Sequence, residues 1–250
     1  MSFTMHGIGV SEGIAIGQAH LLSHATLEVA HYTVREHEVA NEIARFDAAI
    51  KEAQAELQTL HENMAANVPA ELAAFLDLHR MILSDPIISK AASKRIKEQH
   101  CNAEWALKQQ LDELLERFDE IEDNYLRERK ADVIQVGERI LKALLGHPGH
   151  VPPPADLEQN NILVAHDLSP AELILFKQHR FAAFITDIGG PMSHTAIVAR
   201  SLNVPSIAAL HHARQLVREE DTLVVDGTQG VVIVNPDKQV LAEYKLRQNQ

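Results

Sequence analysis

The chain has 250 residues, of which 46% are hydrophobic, enough for one large domain or two small ones with packed cores. Acidic residues outnumber basic residues by 35 to 23, and the formal net charge of −12 disfavours binding to nucleic acid or to anionic lipid. No apolar run approaches the roughly 18 residues of a membrane helix, and the N-terminus lacks the pattern of a secretion signal. Cys101 is the only cysteine, so no internal disulfide can form and we expect a cytoplasmic protein.

Short apolar pieces broken by glycine open the chain. The segment GIGVSEGIAIGQAHLL, residues 7–22, is typical of strands and tight turns rather than of helix. A segment of this size cannot bury its own apolar face. We therefore expect residues 1–33 to supply the first strands of a sheet that is completed further along the chain.

A long region of helical pattern follows, with Gly137 as its only glycine between residues 35 and 145. Apolar residues recur at alternating steps of four and three from Val39 to Met64, which predicts an amphipathic helix. A further helix is predicted to start at Asp85-Pro86, with proline in its first turn. Because the pattern breaks often, it favours an antiparallel all-α bundle over residues 34–145 rather than one long coiled coil.

The segment GHPGHVPPPAD, residues 146–156, carries two glycines and four prolines and is predicted to be a linker. Beyond it, short apolar runs alternate with helical patterns, which indicates an α/β layer domain over residues 157–235. The sequence VVDGTQGVVIV predicts a hairpin in which Asp226-Gly227 opens the turn. If the opening strands join this domain, the helical region is an insertion within it.

The most informative segment is ITDIGGPMSHTAIVARSL, residues 185–202. A strand is predicted to end here, to turn through Gly189-Gly190-Pro191 and to enter a helix at Ser193 or His194. A helix start has backbone N–H groups without partners and a dipole that favours nearby negative charge, so it suits a phosphoryl group and a neutral imidazole. The glycine pair is expected to leave the ring open to a bulky donor. Spacing alone leaves open that His194 is an ordinary surface or capping histidine, one of 15 in the chain.

Four segments resemble a known family. GGPMSHTAIVAR, residues 189–200, closely resembles the phosphohistidine signature that enzyme I of the bacterial sugar phosphotransferase system shares with the phosphoenolpyruvate dikinases and synthases. Three more segments, in the right order, are similar to enzyme I: GIGVSEGIAIGQA near the start, YLRERKADVIQVGERIL at 125–141 and VAHDLSPAE at 164–172. The resemblance to the N-terminal half of enzyme I covers essentially the whole chain. It implies an α/β phosphohistidine domain with an inserted all-α helical bundle domain.

The resemblance assigns the predicted catalytic residues. His194 would carry the phosphoryl group on Nε2, the ring nitrogen remote from the main chain. Ser169 matches a position where the family often has a threonine whose hydroxyl orients the active imidazole, and the alternative is that Ser169 only caps the helix that starts at Pro170. The predicted catalytic set is His194, Ser169, Gly189, Gly190 and Thr195.

In the family, the helical domain docks HPr, the small histidine-containing phosphocarrier that receives the phosphate. The charge pattern agrees, since residues 112–123 contain seven acidic residues and one basic residue. The alternative is that Leu83 belongs to the core and that the acidic residues only form a solvated face. The candidate docking residues are Glu71, Met81, Leu83, Asp85, Glu116, Tyr125 and Arg129.

Complete enzyme I continues into a barrel that binds phosphoenolpyruvate and magnesium and forms a dimer. Residues 236–250 resemble the start of the helix that leads to this barrel. For the present chain we expect a monomer without a cofactor, with Mg²⁺ needed only by the full-length enzyme. It should exchange phosphate with HPr but should not take it from phosphoenolpyruvate alone. No metal site is expected, because His147, His150, His211 and His212 lack zinc-site spacing.

Two other interpretations remain. The chain could be the phosphohistidine domain of a dikinase or synthase, although the helical insertion disfavours this. It could also be a non-catalytic module whose acidic bundle docks a partner while His194 only caps a helix.

Overall fold

The computed structural model describes residues 1–22, 29–64, 66, 68–147, 160–176 and 180–249. The chain divides into two compact units. The α/β unit comprises Met1–His24, Asn67–Leu72 and Pro152–Gln250, and the helical unit comprises Ala25–Ala66 and Ala73–Val151.

The α/β unit is thus built from segments on both sides of the helical one, which confirms the predicted fold class. The residue bounds given above for the domains remain predictions. The predicted linker, 146–156, lies outside the described residues apart from Gly146 and His147.

Eight strands of the described residues form one sheet in the α/β unit, in the order β1-β8-β7-β3-β4-β5-β6-β2. The strands are β1 (Phe3–His6), β2 (Ile8–Ser11), β3 (Ile14–Leu21), β4 (Asn161–Ala165), β5 (Ala183–Thr186), β6 (Ser206–Ala208), β7 (Thr222–Asp226) and β8 (Val231–Val234). Strands β3 to β6 run parallel to one another, whereas β1, β2 and β7 pair antiparallel with their neighbours. The first strands therefore join the later sheet, as predicted, and β7 and β8 form the predicted hairpin.

The two edge strands, β1 and β2, are consecutive in the chain and only Gly7 separates them. The sheet must therefore curl until its edges meet. Glycines permit the close approach along this seam. A Cβ atom on Gly9 would lie 2.1 Å from the carbonyl oxygen of Gly227, and one on Gly227 would lie 2.0 Å from the carbonyl oxygen of Ser11. No side chain fits there because the neighbouring atoms belong to the main chain.

The helical unit is an all-α bundle preceded by a short 3₁₀ turn, Glu36–Glu38. Asp85 caps one of its helices, since Oδ1 accepts a hydrogen bond from Ile87 N at 2.8 Å and Pro86 occupies the first turn. The predicted helix start at Asp85-Pro86 is thereby confirmed. The helices are α1 (Val39–Glu62), α2 (Ala70–Ser84), α3 (Pro86–Gln99), α4 (Ala103–Asp119), α5 (Asn124–Glu128) and α6 (Lys130–Leu145). The first three residues of α2 belong to the α/β unit.

Buried charge is a feature of this bundle. The guanidinium of Arg45 on α1 lies 2.7 Å from a carboxylate oxygen of Glu104 on α4 and 2.7 Å from one of Glu42. Asn102 also donates a hydrogen bond to Glu104, at 3.0 Å. Burial alone would raise the pKa of the Glu104 carboxyl, but the hydrogen bonds from Arg45 and Asn102 lower it below its ordinary value.

Four further helices belong to the α/β unit: α7 (Pro170–Phe176), α8 (His194–Ser201), α9 (Ala213–Leu216) and α10 (Lys238–Gln248). The core of this unit consists of small and branched apolar side chains from the sheet, among them Ile162, Val164, Ile185 and Val225, all fully buried. Along the described residues, none of the helices is both long and apolar enough to cross a membrane.

Candidate active site

The candidate site lies at the carboxyl edge of the parallel strands β4, β5 and β6. Because these strands run in the same direction, the segments that follow them emerge at the same edge of the sheet. The segment after β4 brings Leu168 and Ser169 to this edge, and the segment after β5 brings the turn that leads to His194. Functional residues of parallel α/β folds commonly lie at this edge.

Local geometry fixes the start of α8. Gly189 has a φ of +102°, a conformation that side chains rarely adopt. Ser193 has extended backbone and caps the helix, since its Oγ accepts a hydrogen bond from Ala196 N at 3.2 Å. Arg200, about two turns further along, donates hydrogen bonds to the carbonyl oxygens of Val10 at 3.0 Å and Pro191 at 2.8 Å. The turn is therefore held from both ends, with His194 as the first residue of the helix, where the sequence predicted it.

The imidazole of His194 is buried, with only 2% of the residue exposed. Its Nε2 donates a hydrogen bond to the carbonyl oxygen of Leu168, and the hydroxyl of Thr195 lies 3.5 Å from the same oxygen. Because a carbonyl oxygen can only accept, Nε2 carries a proton in this arrangement. The expectation that the glycine pair leaves the ring open is wrong for this conformation, since the segment after β4 covers it.

Ser169 forms a reciprocal cap at the start of α7. Its Oγ accepts from Glu172 N at 3.2 Å, while its own backbone N–H donates to Glu172 Oε2 at 2.8 Å. The capping alternative is thus present in the structure. It leaves the hydroxyl proton of Ser169 available for donation, because only an acceptor position is used. An orienting role toward the imidazole therefore remains a prediction.

Asp187 is a site-edge residue that the sequence analysis did not single out. It follows β5 directly and is 3% exposed. Its carboxylate accepts hydrogen bonds from Ala213 N at 2.6 Å and Arg214 N at 3.3 Å, and its Oδ2 lies 4.0 Å from His166 Nδ1. An acidic residue at the end of a buried strand was the available signal. Asp187 fixes the loop after β6 against the turn that leads to His194.

The structure separates two of the predicted docking residues on α2. Met81 is 70% exposed, whereas Leu83 is fully buried. The prediction that Leu83 lines a docking patch is therefore wrong. Successive helical residues turn by about 100°, so residues two apart face different directions. Leu83 continues the buried stripe of Leu72, Leu76 and His79.

Of the remaining docking candidates, Glu71, Asp85 and Glu116 are exposed, and Tyr125 is 48% exposed. The side chain of Arg129 is only 12% exposed.

Several acidic side chains of the run 112–123 have partners of their own. Lys108 lies 2.5 Å from Asp112, and Lys130 lies 2.7 Å from Asp119. Asp123 caps α5 by accepting from Leu126 N at 3.0 Å. Within the described ranges, the carboxylate of Glu116 is exposed without an ion pair, so it is better placed than these three to meet a basic partner.

No group of three or more His, Cys, Asp or Glu side chains among the described residues could hold a metal ion.

Cys101 is buried, and this burial raises the pKa of its thiol.

The chain matches two family descriptions. Residues 6–129 match "PEP-utilising enzyme, N-terminal", and residues 157–230 match "PEP-utilising enzyme, mobile domain". A solution NMR structure of Enzyme I is similar over 98% of both chains, with a TM-score of 0.75 and 33% sequence identity. The chain belongs to the enzyme I family of PEP-utilising enzymes.

Among curated members of this family, the phosphoenolpyruvate-protein phosphotransferase of Cupriavidus necator is 48% identical over the whole of this chain. That of Streptococcus equinus is 36% identical over 98% of it. The chain spans 44% and 42% of the length of these two relatives. His194 and Ser169 both lie within the match to the mobile domain of the family.

Proposed function

We propose that His194 accepts a phosphoryl group and passes it to the active histidine of an HPr-type phosphocarrier. The observation that carries this proposal is the position of His194 as the first residue of a capped helix at the carboxyl edge of a parallel sheet. At that point the backbone N–H groups of the helix start and the helix dipole favour a dianionic group. The membership of the chain in the enzyme I family supports the same proposal.

In this proposal, the buried conformation of the His194 ring is a resting state that cannot yet accept phosphate. In it, Nε2 carries a proton and is bonded to the carbonyl oxygen of Leu168, so it has no lone pair to offer. Two events must precede transfer: the ring turns away from Leu168, and the proton leaves Nε2 while Nδ1 keeps or gains one. The lone pair of Nε2 then attacks the phosphorus atom, and the bond from phosphorus to the donor breaks. Transfer to HPr is the same exchange, with the phosphohistidine as donor.

In this proposal, Ser169, Thr195, Gly189 and Gly190 support the reacting histidine. Once the ring has turned and Nε2 has lost its proton, the hydroxyl proton of Ser169 would bond the lone pair of Nε2 and would release it when the phosphorus atom arrives. Thr195 holds the resting arrangement together with His194, because both side chains meet the carbonyl oxygen of Leu168. The two glycines allow the turn that places the helix start at the sheet edge.

Docking is proposed for the helical bundle, α1 to α6. The exposed Met81 and Tyr125 would supply apolar contact, and the exposed carboxylates of Glu71, Asp85 and Glu116 would meet basic groups of the partner. Charged groups at the rim of such an interface mainly raise the rate of association.

The phosphoenolpyruvate-dependent step is proposed to need the part of the relatives that this chain does not match. Binding of phosphoenolpyruvate, the requirement for Mg²⁺ and dimer formation belong to that proposal, as does a cytoplasmic location. Phosphate exchange with HPr is proposed for the present chain by itself, as a monomer.

The test is to mix the chain with phosphorylated HPr and to follow the phosphate by intact mass. We expect the wild-type chain to gain one phosphoryl group and His194→Ala to gain none. His166→Ala is the matched control, because its histidine lies at the same sheet edge but is not assigned the phosphate, and it should behave like the wild type. Phosphoenolpyruvate without HPr should give no transfer.

Transfer to His194→Ala would contradict the site assignment. A wild-type chain that binds HPr without accepting phosphate would be a docking module. A chain that does neither would favour the phosphohistidine domain of a dikinase or synthase.

A further inference from the structure

A buried trio of side chains, an aspartate, a histidine and an arginine, lies in the helical unit and has no part in the chemistry at His194. Asp132, in the first turn of α6, is 1% exposed, and His79 on α2 is 2% exposed. His79 Nε2 donates a hydrogen bond to Asp132 Oδ1 at 2.7 Å. Arg129 Nη1 lies 3.3 Å from Asp132 Oδ2. One carboxylate therefore faces two donors from different parts of the bundle.

Arg129 lies between this carboxylate and two aromatic rings. Its guanidinium carbon is 5.1 Å from the centre of the Phe75 ring and 5.0 Å from the centre of the Tyr125 ring, both within the range of cation–π attraction. The Arg129 side chain is 12% exposed, whereas Tyr125 is 48% exposed. Arg129 thus supports the exposed ring of Tyr125 from beneath rather than forming the surface itself.

The position of the helix that carries Tyr125 depends little on apolar burial. Helix α5 has five residues and none of them is buried. Apolar burial therefore contributes little to its position, and the contacts of the adjoining Arg129 with Asp132, Phe75 and Tyr125 contribute to it. A buried carboxylate is costly unless it is paired, so Asp132 strongly favours the arrangement in which His79 and Arg129 both face it.

We propose that Asp132 and His79 are positioning residues for partner docking: they fix Arg129, and Arg129 holds the ring of Tyr125 in the orientation that the partner meets. This inference rests on the proposed function, in which Tyr125 contacts an HPr-type protein. It also assigns Arg129 a different part from the one expected from the sequence, since a side chain this covered offers little surface to a partner.

The test compares variants of the trio with a matched variant of the other buried ion cluster. Asp132→Asn removes the charge and keeps the shape. His79→Leu removes the donor, whereas His79→Gln retains an N–H at the place of Nε2. Glu104→Gln is the control, because Glu104 is a buried carboxylate of the same unit whose side-chain partners are Arg45 and Asn102. For each variant, isothermal titration gives the dissociation constant for HPr, and single-turnover transfer at saturating phosphorylated HPr gives the rate constant.

We expect Asp132→Asn and His79→Leu to weaken binding by about tenfold, the equivalent of losing roughly one good contact at the interface. The transfer rate constant at saturation should stay within about twofold of wild type, because His194 is untouched. His79→Gln should recover most of the affinity. Glu104→Gln should lower the stability of the bundle and leave the dissociation constant unchanged.

The proton resonances of the Tyr125 ring provide a readout without the partner. They should shift in Asp132→Asn and in His79→Leu, but not in Glu104→Gln, since Arg129 moves only when the trio is broken. An unmoved ring in Asp132→Asn overturns the inference, and so does a loss of affinity that is equal in Asp132→Asn and Glu104→Gln. If the wild-type chain exchanges no phosphate with HPr, the proposed function fails, while the ring resonances still decide whether the trio positions Tyr125.

Discussion

The two units hold their buried polar side chains in different ways. In the α/β unit these groups are tied mainly to the main chain: Asp187 accepts from two backbone N–H groups, and Ser193 and Ser169 each cap a helix. In the helical unit they are tied mainly to one another, as in the pairs of Arg45 with Glu104 and His79 with Asp132. The difference suits the two roles proposed, because a reacting histidine needs a fixed backbone, whereas a docking face can be held through side chains.

The comparison teaches where each unit is vulnerable. Backbone crowding should damage the α/β unit most, and loss of packing or of one charged partner should damage the helical unit most. Four substitutions test this difference. Amide hydrogen exchange assigns each effect to a unit, and the fluorescence of Trp105, the only tryptophan and a residue of α4, follows the helical unit.

Leu83→Ala should give the largest loss, about 3 kcal/mol in the free energy of unfolding of the helical unit, because it leaves a cavity in the core. Met81→Ala is its matched control two residues away and should change stability by less than about 0.5 kcal/mol. Urea titration with Trp105 fluorescence measures both. If Met81 contacts HPr as proposed, Met81→Ala weakens binding instead. Equal losses of stability in Leu83→Ala and Met81→Ala would contradict the burial of Leu83.

Gly9→Ala should cost the α/β unit about 2 to 3 kcal/mol, because its Cβ would meet main-chain atoms that cannot rotate away. Protection of the amides in β2 and β6 against hydrogen exchange reports the loss. Gly146→Ala is the comparison. Gly146 has a φ of +71° with nothing within 4 Å of the added Cβ, so only backbone strain of about 1 kcal/mol is expected there. If Gly9→Ala costs no more stability than Gly146→Ala, the seam between the sheet edges can open to admit the added Cβ atom.

Glu104→Gln should lower the stability of the helical unit by about 2 kcal/mol at pH 7, because Arg45 loses the more buried of its two charged partners. The pKa of Glu104 is lowered in the folded state, so its stabilisation is complete above the unfolded pKa of about 4.3 and is lost as the pH falls through the folded value. The difference in the free energy of unfolding between wild type and variant should therefore narrow as the pH falls below about 4.3. Urea titrations from pH 7 to pH 3 test this.

If the difference in the free energy of unfolding between wild type and Glu104→Gln stays constant from pH 7 to pH 3, the effect comes from packing rather than from charge. Glu98→Gln is the exposed control, with an ion pair to Lys94 at 3.7 Å. It should change stability by less than about 0.5 kcal/mol at any pH.

Ser169→Ala should give the smallest loss of stability, about 1 kcal/mol, because the cap of α7 loses its hydroxyl. If Ser169 also donates to the turned imidazole, phosphoryl transfer from HPr slows by about tenfold, which corresponds to 1.4 kcal/mol. Ser169→Thr keeps the hydroxyl and should restore both. A rate that is unchanged in Ser169→Ala would leave Ser169 as a cap alone.

Features set by local chemistry could be predicted from the sequence. The start of α3 at Asp85-Pro86 and the hairpin at Asp226-Gly227 depend on residues that are neighbours in the chain. The helical insertion could also be predicted, since the texture of the sequence changes sharply at both of its ends. The position of His194 at a helix start belongs to the same class.

Features set by distant contacts could not. The burial of His194 depends on the carbonyl oxygen of Leu168, which lies 26 residues earlier in the chain. No spacing near His194 indicates that this segment covers the ring. The error at Leu83 is different, because the buried stripe of Leu72, Leu76, His79 and Leu83 was already visible as steps of four, three and four. Helix geometry alone would have removed Leu83 from a patch that contains Met81.

The pairing of the strands has a consequence for how the chain folds as it is made. Strand β1 pairs with β8, β2 with β6, and β3 with β4 and β7, so none of the three finds its observed partners before residue 161. The helical unit, whose contacts are closer in sequence, can fold during this interval. Residues 1–21, which end with β3, therefore stay unpaired while the helical unit is made. The sheet closes only when β8 has emerged from the ribosome.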